Sequence, residues 1–163
     1  MNLVVIGVNH KTAPVALRER LAFVGGDIQV AQAQLQSLTA GSLIISTCNR
    51  TEIYALAPNT QALMDQVPST DSLATQAQKQ SMEPVTTTQL TEQLIHWLAD
   101  FKHLPVEEVR PYLYDYIDGQ ALTHLLRVAA GLDSMILGEP QIFGQIKRSV
   151  AEAKEYGYLT NQL

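Results

Sequence analysis

Apolar positions along the chain change their period several times, and each change predicts an element. Residues 2–8 are short, apolar and rich in valine and isoleucine, which predicts a strand. The polar run Asn9-His10-Lys11-Thr12-Ala13-Pro14 follows, and Pro14 can open a short helix over Val15 to Leu21. Asp27 suits the N-cap of a second helix over about 28–38, ended near Gly41. Strands are expected at 42–47 and 51–57, joined through the segment around Cys48. Residues 58–88 lose the pattern: Pro58, Pro68 and Pro84 sit among many Gln, Ser and Thr residues. A long surface loop or partly ordered insertion is expected there. A helix over 88–102 carries Leu90, Leu94, Trp97, Leu98 and Phe101 on one face, and 112–116 reads as the last strand.

The order β-α-β-β-α-β predicts an α+β fold of the ferredoxin-like, split βαβ type, an antiparallel sheet with helices on one face. From Gly119 onward the spacing becomes helical, with apolar residues at 122, 125, 126, 129, 132 and 136. Pro140 starts another helix, carrying Ile142, Phe143, Ile146 and Val150. Residues 1–117 are therefore expected to form the core, with 118–163 as a C-terminal helical segment.

At 100° per residue, His124, Arg127, Gly131 and Ser134 fall on the side of the first C-terminal helix opposite its leucines. The leucine side is expected to pack, leaving a polar stripe of imidazole, guanidinium, bare backbone and hydroxyl. A wet face is the ordinary explanation of such a stripe, although it would more often carry Lys and Glu. Asp133 lands on the apolar side, so the helix is expected to break or recap there. Gly138-Glu139-Pro140-Gln141 brings a carboxylate and an amide to a helix start, which suits either substrate recognition or capping.

With 163 residues, 46% hydrophobic and 17% charged, the chain has the length and composition of one domain with a sizeable core. A formal charge of −5 argues against a general nucleic-acid binder. Residues 65–118 hold nine acids and three bases, while Lys11, Arg18, Arg20, Arg50, Arg127, Lys147 and Arg148 gather near the polar motifs. One face could meet a polyanion, and an ordinary solvated surface accounts for the same counts. No signal peptide, membrane span, G-x-G-x-x-G or P-loop pattern occurs, and no zinc-like ligand spacing points to a metal. The lone cysteine excludes an intramolecular disulfide, so a cytoplasmic setting is expected.

That cysteine, Cys48, is delivered by an apolar strand into Ser46-Thr47-Cys48-Asn49-Arg50-Thr51-Glu52. A thiol kept for packing would sit inside the apolar run, whereas these neighbours bind polar groups and favour a thiolate. Cys48 with His124 meets the minimum for thiol catalysis, a nucleophile plus an acid or base elsewhere in the chain. His96 and His103 lie in the acidic segment and are expected at the surface.

Four blocks, in order, resemble one family. They are Gly7-Val8-Asn9-His10-Lys11-Thr12-Ala13-Pro14-Val15; Ser46 to Glu52; His124-Leu125-Leu126-Arg127-Val128-Ala129-Ala130-Gly131-Leu132-Asp133-Ser134; and Leu137-Gly138-Glu139-Pro140-Gln141-Ile142 with Gly144-Gln145. They are similar to the N-terminal catalytic domain of glutamyl-tRNA reductase, which starts tetrapyrrole (porphyrin) synthesis from glutamate. The resemblance implies that Cys48 attacks the glutamyl ester of charged tRNA and forms a thioester. It also implies reduction by NADPH to glutamate-1-semialdehyde, with His124 as general acid/base or orienter. Its substrate-binding positions fall on Thr47, Asn49, Arg50, Ser134, Glu139, Pro140, Gln141 and Gln145. Arg50 would pair with a substrate carboxylate.

The family continues through a long helix into an NADPH-binding domain and a dimerisation bundle, so residues 118–163 are expected to complete the site and begin that helix. Residues 58–88 are longer and more polar than the family leads one to expect. This span alone is expected to acylate Cys48, after which the thioester hydrolyses. A homodimer and channelling to glutamate-1-semialdehyde aminomutase belong to the same implication. Two other readings remain open from sequence: a ferredoxin-like module with a redox-sensing cysteine, and a thiol hydrolase of small esters.

Overall fold

The computed structural model describes residues 2–58, 85–134 and 140–159. Most of the expected 58–88 insertion, residues 59–84, lies outside them. The strands are β1 (Leu3–Asn9), β2 (Gly41–Ser46), β3 (Arg50–Leu56) and β4 (Tyr114–Ile117). The helices are α1 (Val15–Leu21), α2 (Asp27–Leu35), α3 (Thr87–Phe101), α4 (Val106–Val109), α5 (Asp118–Ala129) and α6 (Pro140–Glu155). A short 3-10 turn, Arg110–Tyr112, leads from α4 toward β4. Gly26 takes the N-cap position and Asp27 the first helical position, one place later than the cap expected for Asp27. A capping box between Thr86 and Gln89 starts α3.

The sheet order is β2-β3-β1-β4, and every neighbouring pair is antiparallel. This is the split βαβ order, with β3 inserted between the parallel β1 and β2. Val4, Ile6, Val8, Ile44 and Ile53 point to one face and pack with Ala31 and Leu35 of α2 and Leu90, Leu94 and Leu98 of α3.

The opposite face is covered as well, which corrects the expectation of helices on one side only. Leu3, Val5, Leu43, Ile45, Tyr54 and Leu56 pack against Ala121 and Val128 of α5 and Ile142, Ile146 and Ala153 of α6. The physical reason lies in β1, where every residue is buried. A strand without polar alternation cannot leave either face in water.

α5 departs from expectation in a second way. Its buried positions are Ala121, His124 and Val128, whereas Leu122 and Leu126 are exposed at 41% and 61%. The helix is rotated about a quarter turn from the orientation that leucine spacing predicts. Small Ala121 lets the helix sit close to the sheet, and the imidazole finds a buried carboxylate to bond there. The polar stripe is thus split, with His124 facing inward and Arg127 outward at the rim.

Candidate active site

The β2–β3 connection presents the thiol. Thr47 Oγ1 accepts hydrogen bonds from the backbone N–H groups of Asn49 and Arg50, each at 3.2 Å. The Thr47 N–H donates to the Arg50 carbonyl at 2.8 Å, closing the turn. Thr47 is thus the fastener of a tight loop, with Cys48 free and exposed at its tip and Asn49 half-buried beside it.

Strand period two then places Arg50, Glu52 and Tyr54 on one face of β3. Glu52 is fully buried. Its Oε1 receives Arg50 Nη1 at 2.8 Å and Tyr114 Oη at 2.5 Å, and lies 2.8 Å from His124 Nε2. Its Oε2 receives Tyr54 Oη at 2.9 Å. Burial alone would raise the Glu52 pKa, but His124, Arg50 and Tyr114 together hold it below the usual carboxylate value. Burial first, and the Glu52 charge second, push both tyrosines above their ordinary value, so both stay protonated.

The second Arg50 nitrogen, Nη2, donates to the Asp133 carbonyl at 2.6 Å and ties β3 to the turn after α5. Arg50 is thus buried with protein partners on both Nη atoms, and a substrate carboxylate meeting it would compete with that carbonyl. Asp133, expected only to mark the end of the helix, faces the same place. Its carboxylate lies 3.9 Å from His124 Nδ1, 3.3 Å from Arg127 and 4.0 Å from Lys11 Nζ. Burial raises the Asp133 pKa, and Arg127, His124 and Lys11 outweigh it and hold the group below its ordinary value.

Of these groups, Tyr114, His124, Asp133, Arg127 and Lys11 line a cavity of about 580 Å³, together with Asn9. The rings of Tyr114 and Tyr116 flank the imidazole at 5.3 and 4.9 Å between centroids. Cys48 is not in the cavity wall; it stands at the tip of the turn whose other end carries Arg50. His10 follows directly on Asn9, the register partner of Arg50. Burial first, then Lys11, Arg50 and Arg18, lower the His10 pKa, so the ring is neutral near pH 7.

The remaining expected positions lie on the C-terminal segment. Ser134 is half-buried just after the Asp133 turn. Glu139 lies outside the described residues, and Pro140 opens α6. Gln141 and Gln145 share the exposed face of α6, opposite buried Ile142 and Ile146. His96 and His103 are exposed, as expected. Among the described residues no group of three or more His, Cys, Asp or Glu side chains could hold a metal ion.

Sequence reasoning did not single out Glu52, Tyr54, Tyr114, Asp133 or Lys11 as site residues. One available signal was a carboxylate in a strand that continues Ile53-Tyr54-Ala55-Leu56. Such a group must be paired if it is buried.

The family model for "Glutamyl-tRNAGlu reductase, N-terminal domain" matches residues 6–163. The chain belongs to this family. A glutamyl-tRNA reductase from Psychrobacter sp. (strain PRwf-1) is 78% identical over 165 residues, aligning 100% of this chain with 36% of the relative. One from Neisseria gonorrhoeae (strain NCCP11945) is 40% identical over 157 residues, aligning 95% of this chain with 30% of the relative. The solved glutamyl-tRNA reductase from Methanopyrus kandleri superposes with a TM-score of 0.62 at 25% identity, covering 98% of this chain and 30% of that one. The chain therefore spans about a third of the length of the glutamyl-tRNA reductases it matches.

A nicotinamide dinucleotide does not fit the described part of this reductase domain. Such cofactors sit at the carboxyl ends of parallel strands on a glycine-rich turn. Here the sheet is antiparallel, and the β1–α1 connection carries no glycine and has Pro14 at the helix N-cap.

Proposed function

We propose that this chain performs the acyl-accepting step of a glutamyl-tRNA reductase, taking the glutamyl group from charged tRNA onto Cys48. The observation that carries this reading is the setting of Cys48. It is the chain's one thiol, exposed at the tip of a closed turn whose far end, Arg50, is locked into the Glu52–His124 cluster.

In the reaction, Cys48 Sγ attacks the ester carbonyl carbon. A C–S bond forms, the bond from that carbon to the ribose oxygen breaks, and the released oxygen takes a proton as tRNA leaves. His124 is the group that holds and returns the proton, since a positioned imidazole serves as both acid and base near neutral pH. The family's substrate-binding positions, Thr47, Asn49, Arg50, Ser134, Glu139, Pro140, Gln141 and Gln145, are proposed as the residues that recognise the glutamyl group. Residues 118–163 act as the extension that completes the site of the 1–117 core. Asp133 offers a carboxylate to a substrate ammonium, while Lys11 and Arg127 offer cations to a carboxylate or to tRNA phosphate.

The reading extends to thioester reduction to glutamate-1-semialdehyde by NADPH held elsewhere, for porphyrin synthesis. These residues supply the acyl group for that step, not the hydride.

Intact mass spectrometry after mixing with glutamyl-tRNA tests the proposal. A glutamyl adduct on Cys48, absent from Cys48→Ser, is the expected result. Folded protein that gives neither an adduct nor accelerated ester cleavage would refute it.

A further inference from the structure

We propose that Glu52 is a positioning residue for His124: it fixes the ring with its proton on Nε2 and leaves Nδ1 as the atom that exchanges protons with the cavity. This inference rests on the acyl-transfer reading for its kinetic consequence, but not for the tautomer itself.

The argument is one of donors and acceptors. An ionised carboxylate only accepts hydrogen bonds, at about four lone-pair positions over its two oxygens. Glu52 is held ionised by its partners. Arg50 Nη1 can only donate, and the buried, protonated phenols of Tyr54 and Tyr114 donate as well. The fourth partner, His124 Nε2 at 2.8 Å, must then donate too, so Nε2 carries the hydrogen. In a neutral imidazole with one hydrogen on Nε2, the lone pair lies on Nδ1.

The place of each nitrogen fits that division of labour. Nε2 points at a carboxylate with no solvent exposure. Nδ1 is the nitrogen that faces Asp133, at 3.9 Å, across the cavity wall that both residues line. A proton taken up at Nδ1 would make an imidazolium held between two carboxylates, Glu52 on one nitrogen and Asp133 on the other. An Arg50–Glu52 ion pair alone could serve stability, but it needs neither the imidazole nor two phenols. The convergence of all four partners on one carboxylate is what a device for orienting a ring requires.

Nitrogen-15 spectra of the His124 ring in folded protein, followed upward in pH until they stop changing and the ring is neutral, decide the tautomer without any substrate. The expected result is a protonated Nε2 and an unprotonated Nδ1. In Glu52→Gln the amide can no longer accept from all four partners, so the tautomer populations should shift toward Nδ1–H. The rate of acylation by glutamyl-tRNA should fall on the order of 100-fold, with KM changed far less. Glu52→Asp, which keeps the carboxylate, should restore the parent tautomer and part of the rate.

If Glu52→Gln does not fold, the parent spectrum and Glu52→Asp carry the test. A neutral parent ring with its hydrogen on Nδ1 would overturn the proposal even if Cys48 is acylated. So would a folded Glu52→Gln with unchanged tautomer and rate. If Cys48 is never acylated but the ring shows Nε2–H and shifts in Glu52→Gln, the positioning stands and the acyl-transfer reading falls.

Discussion

Gly7 and Glu52 stand opposite each other on β1 and β3, and a Cβ at Gly7 would lie 2.8 Å from Glu52 Cγ. It would also lie 2.9 Å from the Thr51 carbonyl and 3.1 Å from Tyr114 Oη. Glycine is required here by close approach, so that a carboxylate and a phenol from the two flanking strands can meet over the strand between them. Gly7→Ala is therefore expected to cost about 1–3 kcal/mol of stability, the usual range for overpacking. It should also lengthen the Glu52–His124 contact and slow acylation. Urea denaturation checks the first effect, and parent-like stability would mean that the strands yield more easily than their register implies.

Arg50 and Cys48 are two residues apart but should respond oppositely to substitution. Arg50→Met leaves Glu52 buried without its cation, and breaking a buried pair from one side costs about 3–5 kcal/mol. Cys48→Ser changes one exposed atom at a turn tip and should alter stability by less than about 0.5 kcal/mol. Acylation should be lost in Cys48→Ser at parent melting temperature and lost in Arg50→Met together with stability. A stable Arg50→Met would show that the tyrosines and His124 suffice to hold the carboxylate.

The order of strands and helices was legible because local signals agreed. Valine-rich runs, Pro14, Pro140 and the apolar stripe of α3 each mark an element within a few residues of where it lies. Cys48 was legible as an exposed thiol because polar neighbours surround it in the chain. The Glu52 cluster was not, because its members come from β3, β4 and α5, and only tertiary register brings Tyr114 and His124 to one carboxylate. The orientation of α5 misled for a related reason. Leucine spacing measures apolarity along one helix, and it knows nothing of a buried acid waiting on the sheet.

That orientation can be checked directly on α5. Val128 is fully buried against the sheet, and Leu126 is 61% exposed. Val128→Ala should cost about 2 kcal/mol through lost burial and an unfilled cavity. Leu126→Ala removes more carbon atoms yet should change stability by less than about 0.5 kcal/mol. Chemical denaturation of both variants measures the difference. A larger loss in Leu126→Ala would return the leucine stripe to the interior and reverse the placement of His124.

The pH dependence of stability should have two edges, each with a structural source. His10 has a folded pKa below its ordinary 6.5, so the stability it contributes is present above that pH and declines as pH falls through the lowered value. Glu52 and Asp133 also have depressed folded values, so their contributions hold above 4.5 and 3.8 and are lost on further acidification. Tyr54 and Tyr114 behave in the opposite sense. Their folded values are raised, so their contribution is complete below pH 10 and is lost as the solution becomes more alkaline. The summed contribution of these groups, followed by urea unfolding from pH 4 to 11, should therefore be level between about pH 7 and 10 and slope down on either side. Lys102 acts in the opposite sense at the alkaline end, because burial lowers its pKa below 10.5 and it adds stability as pH rises through the lowered value. His10→Gln should remove the first part of the acid slope, between 6.5 and the onset of carboxylate protonation, and leave the alkaline edge alone. Tyr54→Phe should weaken the alkaline edge and, by removing a donor from Glu52 Oε2, move the Glu52 part of the acid edge to higher pH. A parent protein that gains stability from pH 7 to 5, or a His10→Gln variant with the parent slope, would mean that burial and the neighbouring cations do not hold His10 neutral.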